Sequence, residues 1–310
     1  MILVTGASGF VGGRLVERLK EAGRRVRCLV RATSDSSRLE QPDVELAQGD
    51  IRDGESLRLA AARCEVAVHL VGIIRETKQA SFQEIHFLGT AGLVSACLDA
   101  GVRRFIYVSA AGARPDARTG YHRTKWQAEE AVRNSGLEYL ILRPSIMCGP
   151  GDGFVSLLVE MMRKQPVFPI VGSGSYRLQP VWVHDLHTCI LKALDAERVW
   201  NRTFEIGGPE ALEFDKMVET MMDVSGLRRP RIHIPLWLMR PIVSAMERAP
   251  GFPITRDQLT MMEEENVCDI APMVREFGVQ PKSFREAIET YVPQLVKQKP
   301  RSQMQRSRTA

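Results

Sequence analysis

The sequence predicts an α/β fold: a doubly wound parallel sheet with a smaller, mostly helical C-terminal lobe. Three observations carry that prediction. The chain opens on the apolar run Ile2-Leu-Val-Thr5, followed by Gly6, Gly9 and Gly12 at three-residue spacing. An amphipathic helical pattern then runs from Val11 to Glu21. From there to Leu142, short apolar runs with little alternation are separated by helical stretches, as in a parallel sheet covered on both faces.

Element by element, Ile2–Thr5 is the first strand and Val11–Glu21 the first helix. That helix stops at Ala22-Gly23, where glycine takes a left-handed cap. Arg25–Val30 is a strand, and residues 32–43 are a polar, turn-rich loop. Val44–Gln48 is a third strand, Glu55–Ala62 a helix and Val66–Val71 a fourth strand. Ser81–Gly101 reads as one long helix. Arg104–Ser109, the helix Thr119–Ser135 and Glu138–Leu142 complete the regular half. Beyond Arg143-Pro144-Ser145 the pattern loosens. Helices are expected at Phe154–Met162, His184–Ala196, Glu213–Val224, Asp257–Glu265 and Ser283–Val292, with short strands at Val181–Val183 and Arg202–Ile206. The division is a nucleotide-binding core at residues 1–150 and a cap or substrate lobe at 151–293. Part of that lobe, near 178–200, returns to the core, and a basic, disordered tail covers 294–310. The lobes lack a clean linker and are expected to share a core.

The composition is that of an ordinary globular chain, with 44% hydrophobic and 25% charged residues. Aromatics are only 6%, which argues against a base-stacking surface and a specific nucleic-acid partner. The net charge of +5 belongs entirely to residues 297–310, which hold five basic residues and no acidic one. This tail is either a solvated end or a contact to anionic lipid, nucleic acid or a partner protein. The six cysteines form no CxxC pair and read as buried free thiols in a reducing compartment. No histidine or cysteine spacing supports a metal site, His122 and His184 included. With no signal segment before the first strand and no apolar run of spanning length, a cytoplasmic protein is expected.

Strand, glycine turn and helix are the parts of a Rossmann-type dinucleotide cradle. Gly6 permits the tight turn, Gly9 lets backbone approach the pyrophosphate, and Gly12 lets the helix pack close to the sheet. Helix N-terminal amides then hold the phosphates. At the end of the second strand, where an acidic residue would favour NAD, the chain has Arg31. An arginine there attracts a 2′-phosphate by forked, charge-assisted contacts, so NADP(H) is expected to be preferred, with NAD(H) as the alternative. Arg14 and Arg38 are weaker candidates for the same phosphate, and Arg31 is otherwise a plain surface residue. Asp50 and Ile51, beyond the third strand, are placed to meet the adenine.

Further on, Ser109 ends a strand, and Tyr121 and Lys125 lie one helical turn apart on one face. A lysine ammonium beside a phenol favours the phenolate. Such a tyrosine can exchange a proton with a substrate oxygen during hydride transfer, while Ser109 holds that oxygen. Otherwise, Tyr121 packs its helix and Lys125 contacts only a ribose.

With these motifs on the page, the chain resembles the extended or atypical short-chain dehydrogenases/reductases over about residues 1–293. Thr5–Gly12, which includes Ser8, Phe10 and Val11, matches the family's cofactor loop, and Asp50-Ile51 its adenine contact. Ser109, Tyr121 and Lys125 match its catalytic serine, tyrosine and lysine. Leu70, Val71 and Gly72 fall where it has a cofactor-facing segment, with His69 where asparagine is frequent. Pro144 and Ser145 match the turn near the nicotinamide. Gly149–Phe154, Gln179-Pro180-Val181, Gly207-Gly208-Pro209 and Thr255–Gln258 are similar to one subgroup, the nucleotide-binding accessory subunit of respiratory complex I and its bacterial relatives.

The resemblance implies an NADPH-dependent oxidoreductase acting on a carbonyl or hydroxyl of a small or lipid-like substrate. One alternative is a non-catalytic protein that holds NADPH in a membrane complex such as complex I, with a peripheral contact to the membrane. Another is a sugar-nucleotide epimerase or dehydratase. In the second lobe Tyr176, Arg177, Gln179 and His184 are the substrate candidates. The apolar stretch Ile232–Met246, with Trp237, reads first as a buried core helix broken by Pro235 and Pro241, and second as a lipid-facing or substrate-covering segment.

Overall fold

A computed structural model describes residues 1–247, 249 and 254–297. Its main sheet begins with β1 (Ile2–Thr5), β2 (Val26–Val30), β3 (Val44–Gln48), β4 (Val66–His69), β5 (Arg104–Val108) and β6 (Glu138–Pro144). Four short strands follow: β7 (Met147–Cys148), β8 (Phe168–Val171), β9 (Arg177–Leu178) and β10 (Val181–Trp182). The chain then returns to the main sheet as β11 (Arg202–Ile206), giving the seven-stranded order β11-β6-β5-β4-β1-β2-β3. Every neighbouring pair in it is parallel. The strands β1 and β5 are buried throughout, in keeping with their mostly apolar sequences, Arg104 at the start of β5 excepted.

Helices cover both faces. Among them are α1 (Phe10–Glu21), α2 (Gly54–Ala61), α3 (Gly89–Asp99), α4 (Gly120–Arg133), α5 (Val155–Lys164) and α6 (Val183–Asp195). One face packs Leu15 and Leu19 of α1 with Leu186 and Ile190 of α6. The other packs Leu57 of α2, Leu93 of α3 and Val132 of α4 with Phe105. All six cysteines are buried free thiols. No metal-binding cluster is present among the described residues, and none of their helices is long and apolar enough to cross a membrane.

The second lobe has its own core, built from α5, α7 (Phe214–Ser225) and the later helices around Met217, Met221 and Phe284. Two more short strands complete it, β12 (Leu212–Glu213) and β13 (Arg231–Ile234), the latter parallel to β8. After β13 come α8 (Leu236–Met246), α9 (Arg256–Glu263), α10 (Ala271–Phe277), α11 (Phe284–Glu289) and α12 (Val292–Lys297).

The structure departs from the sequence reading in several places, the unexpected helix α10 and the earlier end of β4 at His69 among them. The expected long helix begins as a π turn, Gln83–Leu88, before α3. The strand β6 runs on to Pro144 because Arg143 and Pro144 pair with Glu205 and Ile206 of β11. The closing helix is two helices, since Pro293 lacks the amide that would continue α11. Residues 294–297 are therefore helical rather than tail, and the rest of the basic tail lies outside the described residues. Lastly, Ile232–Met246 is not a core helix: α8 buries only Val243 completely.

Candidate nucleotide and catalytic site

The cradle sits where β1 turns into α1. Gly6 has φ +76°, and Gly9 donates its amide to the Gly6 carbonyl at 3.1 Å. A Cβ on Gly12 would lie 2.2 Å from the Gly6 oxygen and 2.6 Å from the Ala7 Cα. Only glycine allows the helix this close to the strand. No side chain caps the α1 N-terminus, and its first turn carries no acidic residue. Its first amides thus lack an intrahelical partner and face outward beside a favourable dipole. Ser8 and Gly9 are exposed there, while Phe10 is half-buried toward Gly149. The Val11 carbonyl accepts from His187 of α6 at 3.0 Å, which braces the helix start.

Arg31 follows β2 directly. Its guanidinium is exposed and makes no ion pair among the described residues. Arg14 is half-buried near His184, and Arg38 is exposed beside Asp35. The Asp50 carboxylate is already forked by Arg52 at 2.8 and 3.0 Å, and these bonds hold it below the usual carboxylate range. Ile51 turns inward, where a Cβ on Gly89 would meet it at 2.8 Å.

The segment after β4 connects the cradle to the proposed catalytic residues. Leu70 and Val71 back the Gly6 turn, with their backbone 3.1 Å from where a Gly6 Cβ would lie. A Cβ on Gly72 would meet the Lys125 ammonium at 3.1 Å and His86 Nε2 at 3.6 Å. Lys125 is buried and donates to the Val108 carbonyl at 3.1 Å. The next residue, Ser109, has a buried hydroxyl without a hydrogen-bond partner among the described residues. The cradle, the Gly72 strap, Lys125 and Ser109 thus line one edge of the sheet, at the C-terminal ends of β1, β4 and β5.

Tyr121 lies in the first turn of α4, where Thr119 caps the helix and the Tyr121 amide donates to Asp257 of α9 at 3.2 Å. Its ring meets Phe82, His86 and His122 edge-on. The expected depression of its pKa is not what these contacts produce. Burial pushes the phenol up to about 12. The Lys125 ammonium lies over the Tyr107 ring at 5.1 Å instead. Burial lowers Lys125 itself to about 8, opposed by Glu129 one turn away. Glu129 is fully buried and forked by Arg143 at 2.8 and 2.6 Å. Arg143 is therefore a clamp between β6 and α4.

Two histidines escaped the sequence reading as site residues. His69 accepts from the Thr5 hydroxyl at 2.6 Å and donates to Thr90 at 3.0 Å, because the Thr90 hydroxyl is committed to the His86 carbonyl. His86 bonds Thr124 of α4 through Nδ1 and the Ile73 backbone through Nε2, each at 3.0 Å. The π turn carries this ring inward, a placement such turns often serve. A lone histidine in an apolar helix gives no signal of it.

Burial lowers His69 to about 3 and His86 to about 2, with Lys125 adding to both. Both are neutral in the folded chain and charge near 6.5 when unfolded, so below that pH the unfolded state binds more protons. Stability is present above pH 6.5 and is lost as pH falls toward 3. Denaturant midpoints measured across this window should fall steeply for the parent. A His69→Gln variant should show a slope shallower by about 1.4 kcal/mol per pH unit, and equal slopes would refute the assignment.

The second-lobe candidates are not brought together. Tyr176 stacks on Phe214 at 5.1 Å, inside the lobe's core. Arg177 is exposed and forks Glu265 at 2.8 and 2.7 Å. Gln179 is a buried strut that donates to Gly208 and accepts from Cys268. His184 stacks on Trp182, beside α1. Pro144 ends β6 with its carbonyl on the Ala111 amide. The Ser145 hydroxyl is bonded to Asn266, a lobe-to-core tie that the sequence did not reveal.

A family model, the NAD-dependent epimerase/dehydratase family, matches residues 2–207. The chain belongs to this family. Within reach of it, the chain is 31% identical over 260 residues to "NADH dehydrogenase (ubiquinone) 1 alpha subcomplex subunit 9, mitochondrial" of Arabidopsis thaliana. That match covers 82% of this chain but 64% of the relative. A ceramide reductase of Caulobacter vibrioides is 32% identical over 185 residues, or 60% of this chain and 58% of the relative. Among solved structures, the dTDP-glucose 4,6-dehydratase DesIV of Streptomyces venezuelae, with NAD bound, superposes with a TM-score of 0.76 at 20% identity, covering 96% of each chain. That likeness shows the family's fold.

Proposed function

We propose that the chain is an NADPH-dependent oxidoreductase that reduces a carbonyl group. The observation that carries this reading is the buried Lys125 ammonium set between the Gly72 strap and the Val108 carbonyl, beside the partnerless Ser109 hydroxyl. The residues present fit a dinucleotide. The uncapped α1 N-terminus and Gly6, Gly9 and Gly12 suit its pyrophosphate, and Lys125 suits its nicotinamide ribose. When bound, reduced nicotinamide supplies hydride. Ser109 then holds the substrate oxygen, and Tyr121, kept protonated by burial, gives that oxygen its proton.

The coenzyme choice rests on Arg31. An Arg31→Ala variant should bind NADPH roughly 10- to 100-fold more weakly, the range for a lost charge-assisted hydrogen bond, with NADH binding nearly unchanged. Equal parent dissociation constants for the two nucleotides would refute the preference.

A second reading has the nucleotide held without turnover, in a subunit of a respiratory membrane complex. It is favoured by α9, which docks on the start of α4 through Asp257 at Tyr121 and the Glu263–Arg118 ion pair at 3.1 Å. The named Arabidopsis relative supports it too. Co-migration of the native protein with a large complex, with NADPH bound and unconsumed across a panel of aldehydes and ketones, would decide for this reading.

A further inference from the structure

The helix α8 faces the wrong way for a core helix. Trp237 is 74% exposed, and Leu238, Ile242 and Met246 also lie open on it. Pro241 and Ala245 share that outer surface, where Arg240 and Ser244 are the polar residues. On the preceding strand Ile232 is exposed as well. An open apolar surface of this kind calls for an occupant.

The charge pattern selects it. Residues 224–246 contain four arginines and no acidic residue. Arg228, Arg229 and Arg231, with Glu219 as the one acidic residue beside them, line a cavity of about 250 Å³ just before the helix. Arg228, Arg231 and Arg240 reach carboxylates on other elements, Asp223, Asp215 and Glu263. The Arg228 and Arg240 side chains are 76% and 61% exposed, and Asp223 and Glu263 keep Arg285 and Arg118 as partners when those two guanidinium groups turn to a phosphate. Among the described residues Arg229 bonds the carbonyls of Met162, Gln165 and Arg228 and no carboxylate. The chain's own tail is a poor cover, since residues 297–310 are basic and largely polar. A second copy would set arginines against arginines.

We propose that α8, with the strand before it, seats the protein on an anionic lipid bilayer. Its apolar side chains enter the acyl boundary, Trp237 sits at the headgroup level, and the arginines meet lipid phosphates. The seat borders the site. The Arg75 guanidinium bonds the Glu247 carbonyl at the end of α8, and Arg75 lies on the strap that leaves Gly72. Ile74, next to Arg75 on that strap, is 65% exposed. The proposal holds whether or not Tyr121 turns over.

The test is co-sedimentation of the full chain with vesicles of phosphatidylcholine alone, and of phosphatidylcholine with phosphatidylglycerol. The chain should pellet with the mixed vesicles and much less with phosphatidylcholine alone. Its tryptophan emission should shift to the blue, because Trp182 and Trp200 are buried, Trp126 is half-buried and Trp237 is open. A Trp237→Ser/Ile242→Ser variant should lose at least about tenfold in partitioning, from the apolar area removed, while binding NADPH like the parent. A second variant with Lys299, Arg301, Arg306 and Arg308 changed to alanine separates the tail from the helix, and it should still pellet. Failure to pellet with the mixed vesicles, or pelleting that survives the double substitution and is lost with the tail charges, overturns the proposal.

Discussion

A Tyr121→Phe variant should bind NADPH as the parent does and turn over roughly 10²- to 10⁴-fold more slowly, the usual share of a positioned acid. The substitution removes one hydroxyl and keeps the ring contacts to Phe82, His86 and His122. Stability is thus expected to hold, and any loss of rate reports on proton transfer. Fluorescence titration with NADPH and its consumption with a carbonyl substrate measure the two halves separately. The direction of the Tyr121 shift matters here. A phenol raised to about 12 is fully protonated at neutral pH, which suits a proton donor and therefore reduction. Unchanged turnover would remove Tyr121 from the mechanism while leaving the cradle intact.

The second large effect is expected at Gly12. An alanine methyl there would sit 2.2 Å from the Gly6 carbonyl oxygen. Both of its nearest neighbours are backbone atoms, so no side chain can swing away. The start of α1 must move off β1, which should cost about 1–3 kcal/mol or more and abolish NADPH binding. Gly13→Ala is the matched control. Its methyl would meet the Ala7 carbonyl at 3.6 Å, an ordinary contact. Alanine also favours the helix by up to about 1 kcal/mol, so this variant should be neutral or more stable. Urea unfolding and NADPH titration of the pair read both effects. Similar behaviour of the two variants would refute the close-approach argument.

These two positions also show what sequence alone carries. The glycine spacing and the Tyr121–Lys125 turn are local, so residues a few places apart encode them. The pKa of Tyr121 is not local. It depends on Phe82 and His86, brought over it by a π turn whose apolar spacing differs little from that of an ordinary helix. The ends of β6 were hidden for a similar reason, because Arg143 and Pro144 are held in the sheet by a strand some sixty residues later. Tyr176, Arg177, Gln179 and His184 are close in sequence, which made them look like one pocket. Their partners, Phe214, Glu265, Gly208 and Trp182, scatter them over the second lobe.

The core of the nucleotide half is finished by chain that arrives late. Leu186 and Ile190 of α6, Phe204 of β11 and Phe277 of α10 belong to the same buried cluster as residues of β1, α1 and β5. A fragment ending near residue 150 would keep α1 on that face of its sheet but lose α6, β11 and α10. The second lobe is therefore not a cassette that recombination can exchange among relatives. Changes in α6, β11 or α10 therefore act on the packing of both lobes at once.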